Sequence, residues 1–216
     1  NVDPAQANAE LCNLISSTLS DCGLKKDQFI INVSNRKIVQ GLINELKISR
    51  EKQVKVIRAI DKLDKPGFGL KGVEELLKKE RKDQSGAITK GADLTDEQAL
   101  QILNFLKMKD LTELKQNLKN QLSQDGISEL EKVFEILGYG SNLNQVKTNF
   151  TIVRGLDYYS DFIVETNLNF KVTNNKGKEI DIGSICSGGA YAKLISRFRG
   201  VDVPGTGISF GVDRLL

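Results

Sequence analysis

Apolar residues recur every three or four positions along most of the first two thirds of the chain, a spacing that predicts amphipathic helices. The first helix is predicted over 5–22, with Gly23 at its C-terminus because glycine readily takes the left-handed conformation that often ends a helix. A second helix is predicted from Asn35 to Leu46, and Ser49 is placed as the N-cap of a third. The N-terminal part of the chain is therefore predicted to be largely helical.

The helical spacing continues beyond the third helix without any predicted strand. Thr95 and Gln98 are three residues apart at the start of one helix, which predicts a capping box. Two more helices are predicted over 111–122 and 127–137. The stretch 49–143 is therefore predicted to be all-helical.

Apolar and polar residues alternate in shorter segments, the pattern of half-buried strands. These segments are 28–33, 146–153, 160–172, 179–186 and 206–210. Residues 174–177, Asn-Asn-Lys-Gly, predict a hairpin turn. Because the helical stretch separates the first strand from the others, the sequence predicts an α+β fold in which an antiparallel sheet is interrupted by an all-helical insertion.

The composition is that of an ordinary globular protein, with 39% apolar and 27% charged residues among 216. The net charge of +3 is too small to indicate nucleic-acid binding by itself. No apolar run approaches the roughly 20 residues of a membrane helix, and the N-terminus lacks the pattern of a signal peptide. We therefore expect a cytoplasmic protein with no membrane association.

The chain contains no histidine, which excludes Ser-His-Asp and Cys-His nucleophiles and most catalytic zinc sites. Cys12, Cys22 and Cys186 are scattered without metal-site spacing, so we expect reduced, half-buried thiols and no bound metal. Any catalysis must therefore use arginine, carboxylate, tyrosine and backbone groups.

The densest group of chemically useful side chains lies in 153–159, Val-Arg-Gly-Leu-Asp-Tyr-Tyr. The planar guanidinium of Arg154 could hold a phosphate and a carboxylate together, and a hydroxyl of Tyr158 or Tyr159 could bind a polar ring. The alternatives are a surface ion pair between Arg154 and Asp157, and core packing of the tyrosine rings. The close spacing of these groups favours the binding interpretation.

Two further segments carry glycine, tyrosine and arginine. Gly188 and Gly189 are predicted to open a short helix that carries Tyr191, and their amides could meet an anion, although a tight strand-to-helix turn is the simpler alternative. Arg214 lies in a helix predicted at the C-terminal end, where it could clamp a phosphate or stack on a purine. The alternative for Arg214 is a surface ion pair with Asp213.

A basic run in the helical stretch includes Lys78, Lys79 and Lys82. These side chains could contact the phosphates of a nucleic acid. A solvated helix face, with the neighbouring acids compensating the charge, explains the run equally well.

These groups together resemble the histidyl-tRNA synthetases, a family of class II aminoacyl-tRNA synthetases. Residues 153–159 resemble the histidine-specific signature of the family, and residues 207–214, Gly-Ile-Ser-Phe-Gly-Val-Asp-Arg, resemble class II motif 3. The resemblance implies three segments. They are a catalytic-domain segment that follows motif 2 (1–48), a helical insertion domain (49–143), and a catalytic-domain segment with the signature and motif 3 (144–216).

The resemblance implies a ligase that activates histidine with ATP, forming histidyl-adenylate, and then transfers the histidyl group to tRNA(His). Arg154 would be the catalytic residue. Histidine would be bound by Arg154, Tyr158, Tyr159 and Tyr191. ATP, accompanied by Mg²⁺, would be bound by Arg154, Arg214, Gly188 and Gly189, while Lys78, Lys79 and Lys82 are the candidates for weak contacts with tRNA.

Two departures from the family pattern limit these expectations. Motif 1, motif 2 and the anticodon-binding domain are not among the 216 residues, so we expect this chain alone to be inactive and the full-length protein to be a homodimer. Where the family reads Gly-Gly-Arg-Tyr-Asp, this chain has Ala190 and Ala192 in place of the Arg and the Asp. These alanines leave open a non-catalytic, synthetase-like regulatory or RNA-binding module, and a binding protein for another phosphorylated metabolite is a third hypothesis.

Overall fold

The computed structural model describes residues 3–65, 67–82, 88–140, 143–153, 159–174, 176–191, 196, 198, 200–201 and 203–215, with Lys82 and Leu143 described by their backbone alone. The helices are α1 (Pro4–Asp21), α2 (Arg36–Glu45), α3 (Arg50–Ile60), α4 (Gly69–Lys78), α5 (Asp96–Phe105), α6 (Leu111–Asn117), α7 (Gln121–Gly138) and α8 (Val212–Leu215). The strands are β1 (Phe29–Asn35), β2 (Arg81–Lys82), β3 (Ile88–Thr89), β4 (Val146–Thr148), β5 (Phe162–Leu168), β6 (Val172–Thr173), β7 (Glu179–Ile180), β8 (Ser184–Ala190) and β9 (Thr206–Phe210). Helices and strands are thus both present, and the predicted α+β class is confirmed.

Five strands form one sheet in the order β4-β1-β5-β8-β9. Neighbouring strands are antiparallel except for β1 and β4, which are parallel. The first strand therefore joins the C-terminal strands, as predicted. The strand predicted over 146–153 is shorter than expected. Its register with β1 ends at Thr148, followed by one further bond from the Asn149 N–H to the Val33 carbonyl at 2.9 Å. The Val153 N–H then donates to the nearby Thr151 carbonyl, which is a local turn.

The register gives the sheet one apolar face. Val33, Val164 and Gly188 are successive partners across β1, β5 and β8, and Thr166 is the partner of Cys186 in the next row on the same face. Helix α1 packs against this face and buries its own apolar side chains, which include Ala9, Cys12, Ile15 and Leu19. The opposite face of the sheet carries the polar side chains described below.

The cysteines are free thiols, as predicted, but none of them is half-buried. Cys12 and Cys186 are buried where α1 meets the apolar face, whereas Cys22 is exposed. Burial raises the pKa of both buried thiols to about 12, and the neighbouring Cys186 contributes further to the rise at Cys12. Since the thiolate is the reactive form, these two groups are structural rather than nucleophilic.

The contacts divide the chain into two compact units. The first unit contains 1–36, 128–149 and 155–216, and with them the five-stranded sheet and α1. The second unit contains 37–127 and 150–154. The division into 1–48, 49–143 and 144–216 that the resemblance implies stays a prediction.

The second unit has a helical core of its own. Helices α3, α4 and α5 pack in sequence, and each contributes fully buried residues such as Val56, Leu77 and Ala99. Helices α2 and α7 approach closely near Gly41, because the Ser123 hydroxyl donates to the Ile38 carbonyl at 2.9 Å. The apolar stripes seen in the sequence are thus the surfaces that these helices bury.

The prediction of an all-helical stretch needs one correction, because β2 and β3 form a two-residue antiparallel ladder. Helix α4 ends at Lys78, and Lys79 takes an extended conformation. The Ala92 N–H donates to the Leu76 carbonyl at 2.8 Å, and the Leu94 N–H donates to the Leu77 carbonyl at 3.0 Å. The last carbonyls of α4 are thus satisfied by a returning segment rather than by another helical turn.

The boundaries of the later helices also differ from the prediction. Helix α6 ends at Asn117 because Leu118 is extended, and α7 then runs unbroken to Gly138. The Asn120 side chain accepts a hydrogen bond from the Leu122 N–H at 3.0 Å, so an asparagine cap starts α7 where the sequence pattern predicted a continuing helix.

Two predicted N-caps have different outcomes. Ser49 precedes α3 as predicted, but its side chain makes no capping hydrogen bond. At α5 the capping box is confirmed, since the Gln98 N–H donates to the Thr95 hydroxyl oxygen at 3.2 Å and the Thr95 N–H donates to the Gln98 side-chain oxygen at 3.1 Å. The Gln98 side chain also donates to the Leu46 carbonyl at 2.9 Å, which ties the start of α5 to the end of α2.

Replacing Thr95 with alanine is therefore expected to lower the free energy of unfolding by about 1 kcal/mol, because one side of the capping box is lost. Urea denaturation followed by circular dichroism measures this change. The control is Thr112→Ala, an exposed position within α6, where the expected change is within about 0.5 kcal/mol. Equal effects of the two substitutions would contradict a capping role.

Candidate functional site

One face of the five-stranded sheet carries a continuous row of polar residues. Lys147, Asn32, Glu165, Ser187 and Ser209 are successive register partners across β4, β1, β5, β8 and β9. Register partners point to the same face of a sheet, so the five side chains form one line. Lys147, Ser187 and Ser209 are exposed, and Asn32 and Glu165 are half-buried. This row offers amide, carboxylate, hydroxyl and ammonium groups to a polar ligand.

Tyr159 is held at one end of this face by its backbone. The Arg36 guanidinium donates to the Tyr159 carbonyl at 2.8 Å, and the Arg36 N–H donates to the Asp161 carbonyl at 2.9 Å. The Ser160 N–H donates to the Ala190 carbonyl at 2.9 Å. The segment that leads into β5 is therefore fastened both to the end of β1 and to the end of β8.

The ring of Tyr159 lies beside Gly189 of β8. A Cβ atom built on Gly189 would be 3.2 Å from Cδ1 of that ring and 2.3 Å from the Phe162 carbonyl oxygen. Gly189 and Ser187 are two residues apart in one strand, so they belong to the same face. Tyr159 therefore borders the face that carries the polar row.

Tyr191 follows β8 directly and lies over β9. The Tyr191 N–H donates to the Gly205 carbonyl at 2.8 Å, and its hydroxyl donates to the Thr206 carbonyl at 3.3 Å. A Cβ atom on Gly205 would be 2.9 Å from Cε2 of Tyr191, and one on Gly207 would be 2.8 Å from its hydroxyl oxygen. These glycines therefore leave space for the Tyr191 side chain. Because Gly207 is the register partner of Gly189, Tyr191 borders the same face as Tyr159.

Gly188 and Gly189 do not open a helix, which corrects the prediction. Both lie inside β8, between β5 and β9, so their backbone groups take part in the sheet ladder. A Cβ atom on Gly188 would be 2.1 Å from the Gly207 carbonyl oxygen, because the backbones of β8 and β9 come together closely there. The sequence predicted that the backbone of these glycines would approach a ligand closely. In the structure, that backbone closely approaches the neighbouring strands β5 and β9 instead.

Arg214 lies in α8, as predicted, and its side chain is exposed. Its guanidinium donates to the Ser184 carbonyl at the start of β8, and a Cβ atom on Gly183 would be 3.4 Å from the same guanidinium nitrogen. A guanidinium has five N–H donors, so this contact leaves most of its capacity for a ligand. The structure does not bear out an ion pair between Arg214 and Asp213, since none is formed between these two described residues.

Lys78, one of the three lysines proposed to contact nucleic acid, is paired with two carboxylates. Its ammonium lies 2.9 Å from a carboxylate oxygen of Glu74 and 2.9 Å from one of Asp96. The hydrogen bond to Asp96 is the largest cause of a raised pKa of Lys78, and the hydrogen bond to Glu74 is the next largest. The hydrogen bond to Lys78 in turn lowers the pKa of the Asp96 carboxyl. Lys79 is exposed, and the side chain of Lys82 lies outside the described atoms.

Arg154, Tyr158 and Ala192 lie outside the described residues, so their predicted roles stay predictions. Among the described candidates, the structure brings Tyr159, Tyr191 and Gly189 to one face, whereas Gly188 belongs to the opposite, apolar face. Sequence reasoning missed the polar row and the Arg36 contacts. Alternation within each strand marks Asn32 or Glu165 as outward-facing, but only the register places them in one line.

No described helix combines the length and the apolar character that a membrane span requires. Within the same described part of the chain, no three histidine, cysteine or acidic residues are grouped as a metal site would need.

Comparisons with known proteins agree on one family. The sequence model described as histidyl-tRNA synthetase matches residues 1–215. A histidine–tRNA ligase of Pelagibacter ubique is 76% identical over the whole chain, which covers 46% of that protein. A histidine–tRNA ligase of Rhizobium leguminosarum bv. trifolii is 39% identical over 98% of this chain and 43% of its own length. The chain therefore spans about half the length of these relatives.

Solved structures show the same fold. The crystal structure of histidyl-tRNA synthetase from Nostoc sp. PCC 7120 matches all of this chain and 46% of its own, with a TM-score of 0.76 and 29% identity. A protein of Bacillus halodurans described as an ATP phosphoribosyltransferase regulatory subunit/histidyl-tRNA synthetase reaches the same TM-score at 19% identity, covering 99% of this chain and 50% of its own, and so agrees in fold alone. Since the family match covers residues 1–215 and the fold agrees, this chain belongs to the histidyl-tRNA synthetase family.

Proposed function

We propose that the protein that carries this chain is a histidine–tRNA ligase, which activates histidine with ATP and transfers the histidyl group to tRNA(His). The observation that carries the proposal is the position of Tyr159 and Tyr191, which border one polar sheet face in a chain of this family. The 76% identity to the Pelagibacter ubique protein, which is named a histidine–tRNA ligase, supports the same activity.

In the first step, a carboxylate oxygen of histidine attacks the α-phosphorus of ATP, and the bond from that phosphorus to the β-phosphate oxygen breaks. Histidyl-adenylate forms and pyrophosphate leaves. We assign Arg154 to the α-phosphate and the substrate carboxylate, because one planar guanidinium can align both anions and stabilise the charge that develops between them. Tyr158, Tyr159 and Tyr191 are assigned to the imidazole of the substrate, which needs hydrogen-bonding groups at the rim of an aromatic pocket.

In the second step, a ribose hydroxyl at the 3′ end of the tRNA attacks the carbonyl carbon of the adenylate, and AMP leaves. No histidine of this chain can act as a base in this step, since the 216 residues contain none. The chain contributes instead by positioning the reactants. Positioning of the reactants accounts for much of the rate acceleration in such sites.

We assign ATP to the β8 and α8 side of this face. Arg214 offers its remaining N–H groups to ATP, and Gly189 keeps that part of the polar face free of a side chain, whereas the neighbouring Gly188 belongs to the opposite face. Mg²⁺ would enter with ATP and neutralise phosphate charge. Magnesium commonly binds through substrate phosphates and one or two carboxylates, and Glu165 supplies one carboxylate in the polar row.

The remaining expectations concern the full-length protein. We propose that it is a cytoplasmic homodimer, that residues 49–143 form its insertion domain, and that this chain alone is inactive. The family relatives are about twice as long as this chain, which supports the view that other segments complete the enzyme.

The test is histidine-dependent exchange of pyrophosphate into ATP, measured with the full-length protein. We expect exchange with histidine and none with the other amino acids. Absence of exchange would instead favour a synthetase-like regulatory or RNA-binding module, the alternative suggested by Ala190 and Ala192. Binding of another phosphorylated metabolite in place of histidine and ATP, measured by calorimetry, would support the third hypothesis.

The joint replacement of Lys78, Lys79 and Lys82 with glutamine is expected to weaken tRNA binding by the full-length protein about twofold to fivefold, and to flatten its salt dependence. The effect should be modest because Lys78 is already paired with two carboxylates. Fluorescence anisotropy with labelled tRNA at several salt concentrations measures the change. Unchanged affinity and slope would identify the three lysines as a solvated helix face.

A further inference from the structure

The second unit contains a cavity of about 570 Å³ that the proposed activity does not use. Four cationic side chains line it: Lys55, Arg58, Lys62 and Lys90. Asp61 is the one carboxylate in the lining, so the formal charge of the lining is +3. A concave site with this excess of positive charge attracts anions.

Local structure explains why these cations converge. Lys55 and Arg58 are three residues apart in α3, and Lys62 follows in the turn after the helix, where the Lys62 N–H donates to the Ala59 carbonyl at 3.2 Å. Residues at such spacings share one side of a helix. Lys62 is further held by the ring of Phe68, whose centroid lies 5.2 Å from its ammonium.

Lys90 comes from a different segment of the chain. It follows β3 and precedes Gly91, where a Cβ atom would be only 1.8 Å from the Lys79 carbonyl oxygen. Together with the hydrogen bond from the Ala92 N–H to the Leu76 carbonyl, this close packing fixes the segment against α4. The wall that presents Lys90 is therefore a packed part of the second unit.

The charge of these residues is not neutralised within the described part of the chain. Ion pairs there involve cations such as Lys52, Lys78, Arg81 and Lys171, but none involves Lys55, Arg58 or Lys90. Lys78 of the same unit has two carboxylate partners, whereas Asp61 is the one acid in the lining of the cavity, against four cations.

The cavity also has an apolar wall. Ala59 and Leu76 are buried in the core of the unit and line the cavity. Ile88 also lines it, with 60% of its surface exposed. A volume of this size suits a small molecule, since ligand cavities commonly measure about 300–1,000 Å³. A lining that contains both cations and aliphatic groups suits a ligand with a phosphate chain and an apolar or planar part.

We propose that this cavity binds a small oligophosphate anion, such as a nucleoside polyphosphate, at a site separate in sequence from the polar sheet face. Lys55, Arg58 and Lys90 bind the phosphates, Lys62 adds positive charge from its place over Phe68, and the aliphatic wall accepts the organic part. The site is formed by residues of α3, α4 and β3, and it contains none of the residues assigned to histidine or ATP.

Inorganic tripolyphosphate is the first probe, tested on the full-length protein. Acetylation of lysine amines is followed by mass spectrometry with and without the probe. Protection is expected at Lys55 and Lys90, by about fivefold or more, and not at the exposed Lys71, Lys107 and Lys119 of the same unit. Equal protection of all these lysines, or of none, would overturn the proposal. This measurement is local, so binding of the probe at the proposed ATP site cannot produce the result.

Calorimetry with variants completes the test. The joint substitution Lys55→Gln, Arg58→Gln and Lys90→Gln is expected to remove a binding event or weaken it at least about tenfold. The control, Lys71→Gln with Lys107→Gln and Lys119→Gln, removes the same charge from exposed positions outside the cavity and should retain the wild-type affinity. An equal loss of affinity in both triple variants would show that only the net charge of the protein matters, which would contradict the proposal.

A third arm separates free oligophosphates from nucleic acid. In the acetylation experiment, ATP and a short RNA duplex are each tested in place of tripolyphosphate. Protection of Lys55 and Lys90 by ATP and tripolyphosphate supports the proposed small-molecule site. Protection by the RNA alone would overturn it and assign the cavity to a nucleic-acid surface.

Discussion

Replacing Gly188 with alanine is expected to lower the free energy of unfolding by about 3 kcal/mol, because a methyl group cannot fit between β8 and β9. The Cβ atom would lie 2.1 Å from the Gly207 carbonyl oxygen and 2.8 Å from the Ile208 Cα, both backbone atoms. A flexible side chain could move aside, but these atoms belong to the ladder itself. The strands must separate, and hydrogen bonds between β8 and the edge strand β9 are lost.

Urea denaturation of the wild type and of Gly188→Ala measures this change. Gly138→Ala is the matched control, since a Cβ atom at the end of α7 would meet nothing within 4 Å, and its expected effect is within about 0.5 kcal/mol. A Gly188→Ala protein as stable as the control would show that Gly188 is not required for the close packing of β8 on β9.

Replacing Arg154 with alanine in the full-length protein is expected to slow histidine-dependent pyrophosphate exchange by about 10²–10³-fold, while histidine binding weakens by less than about tenfold. The reason is that the proposed contact with the α-phosphate is strongest when charge develops during transfer. A residue that only bound the substrate carboxylate would affect the dissociation constant and the rate to the same extent.

Exchange kinetics and calorimetry with histidine give the two quantities. Arg50→Ala is a suitable control because Arg50 is exposed at the start of α3, and its exchange rate should stay within about twofold of the wild type. Equal losses in rate and in affinity at position 154 would contradict the transition-state role.

Features that depend on neighbouring residues in the chain were predictable from the sequence. The capping box of Thr95 and Gln98 was predicted from its spacing and is confirmed, because both hydrogen bonds form within one helical turn. Alternation likewise predicted β5 and β9. The residues Asn-Asn-Lys-Gly predicted the turn between β6 and β7, where Gly177 has a positive φ of 72°. Such elements need no information about distant parts of the molecule.

Features that depend on strand register were not predictable. Gly188 and Gly189 were predicted as a turn before a helix because two adjacent glycines usually interrupt regular structure. Their place inside β8 follows from contacts with Gly207 and Phe162, which are 18 and 26 residues away from the nearer of the two glycines. The same limit applied to Ser49, whose sequence context predicts a cap but whose side chain makes no capping bond.

The sequence by itself determined the family, the α+β class and most of the helices, because these depend on local spacing and on short motifs. It also predicted which residues bind histidine and ATP, and those assignments stay predictions. Only the tertiary structure placed Asn32, Glu165 and Ser187 in one polar row and brought Tyr159 and Tyr191 to its border. It also gathered Lys55, Arg58 and Lys90 around one cavity while pairing Lys78 with acids. The physical reason is that register and packing join residues far apart in the chain, and the periodicity of a single segment carries no information about its partner.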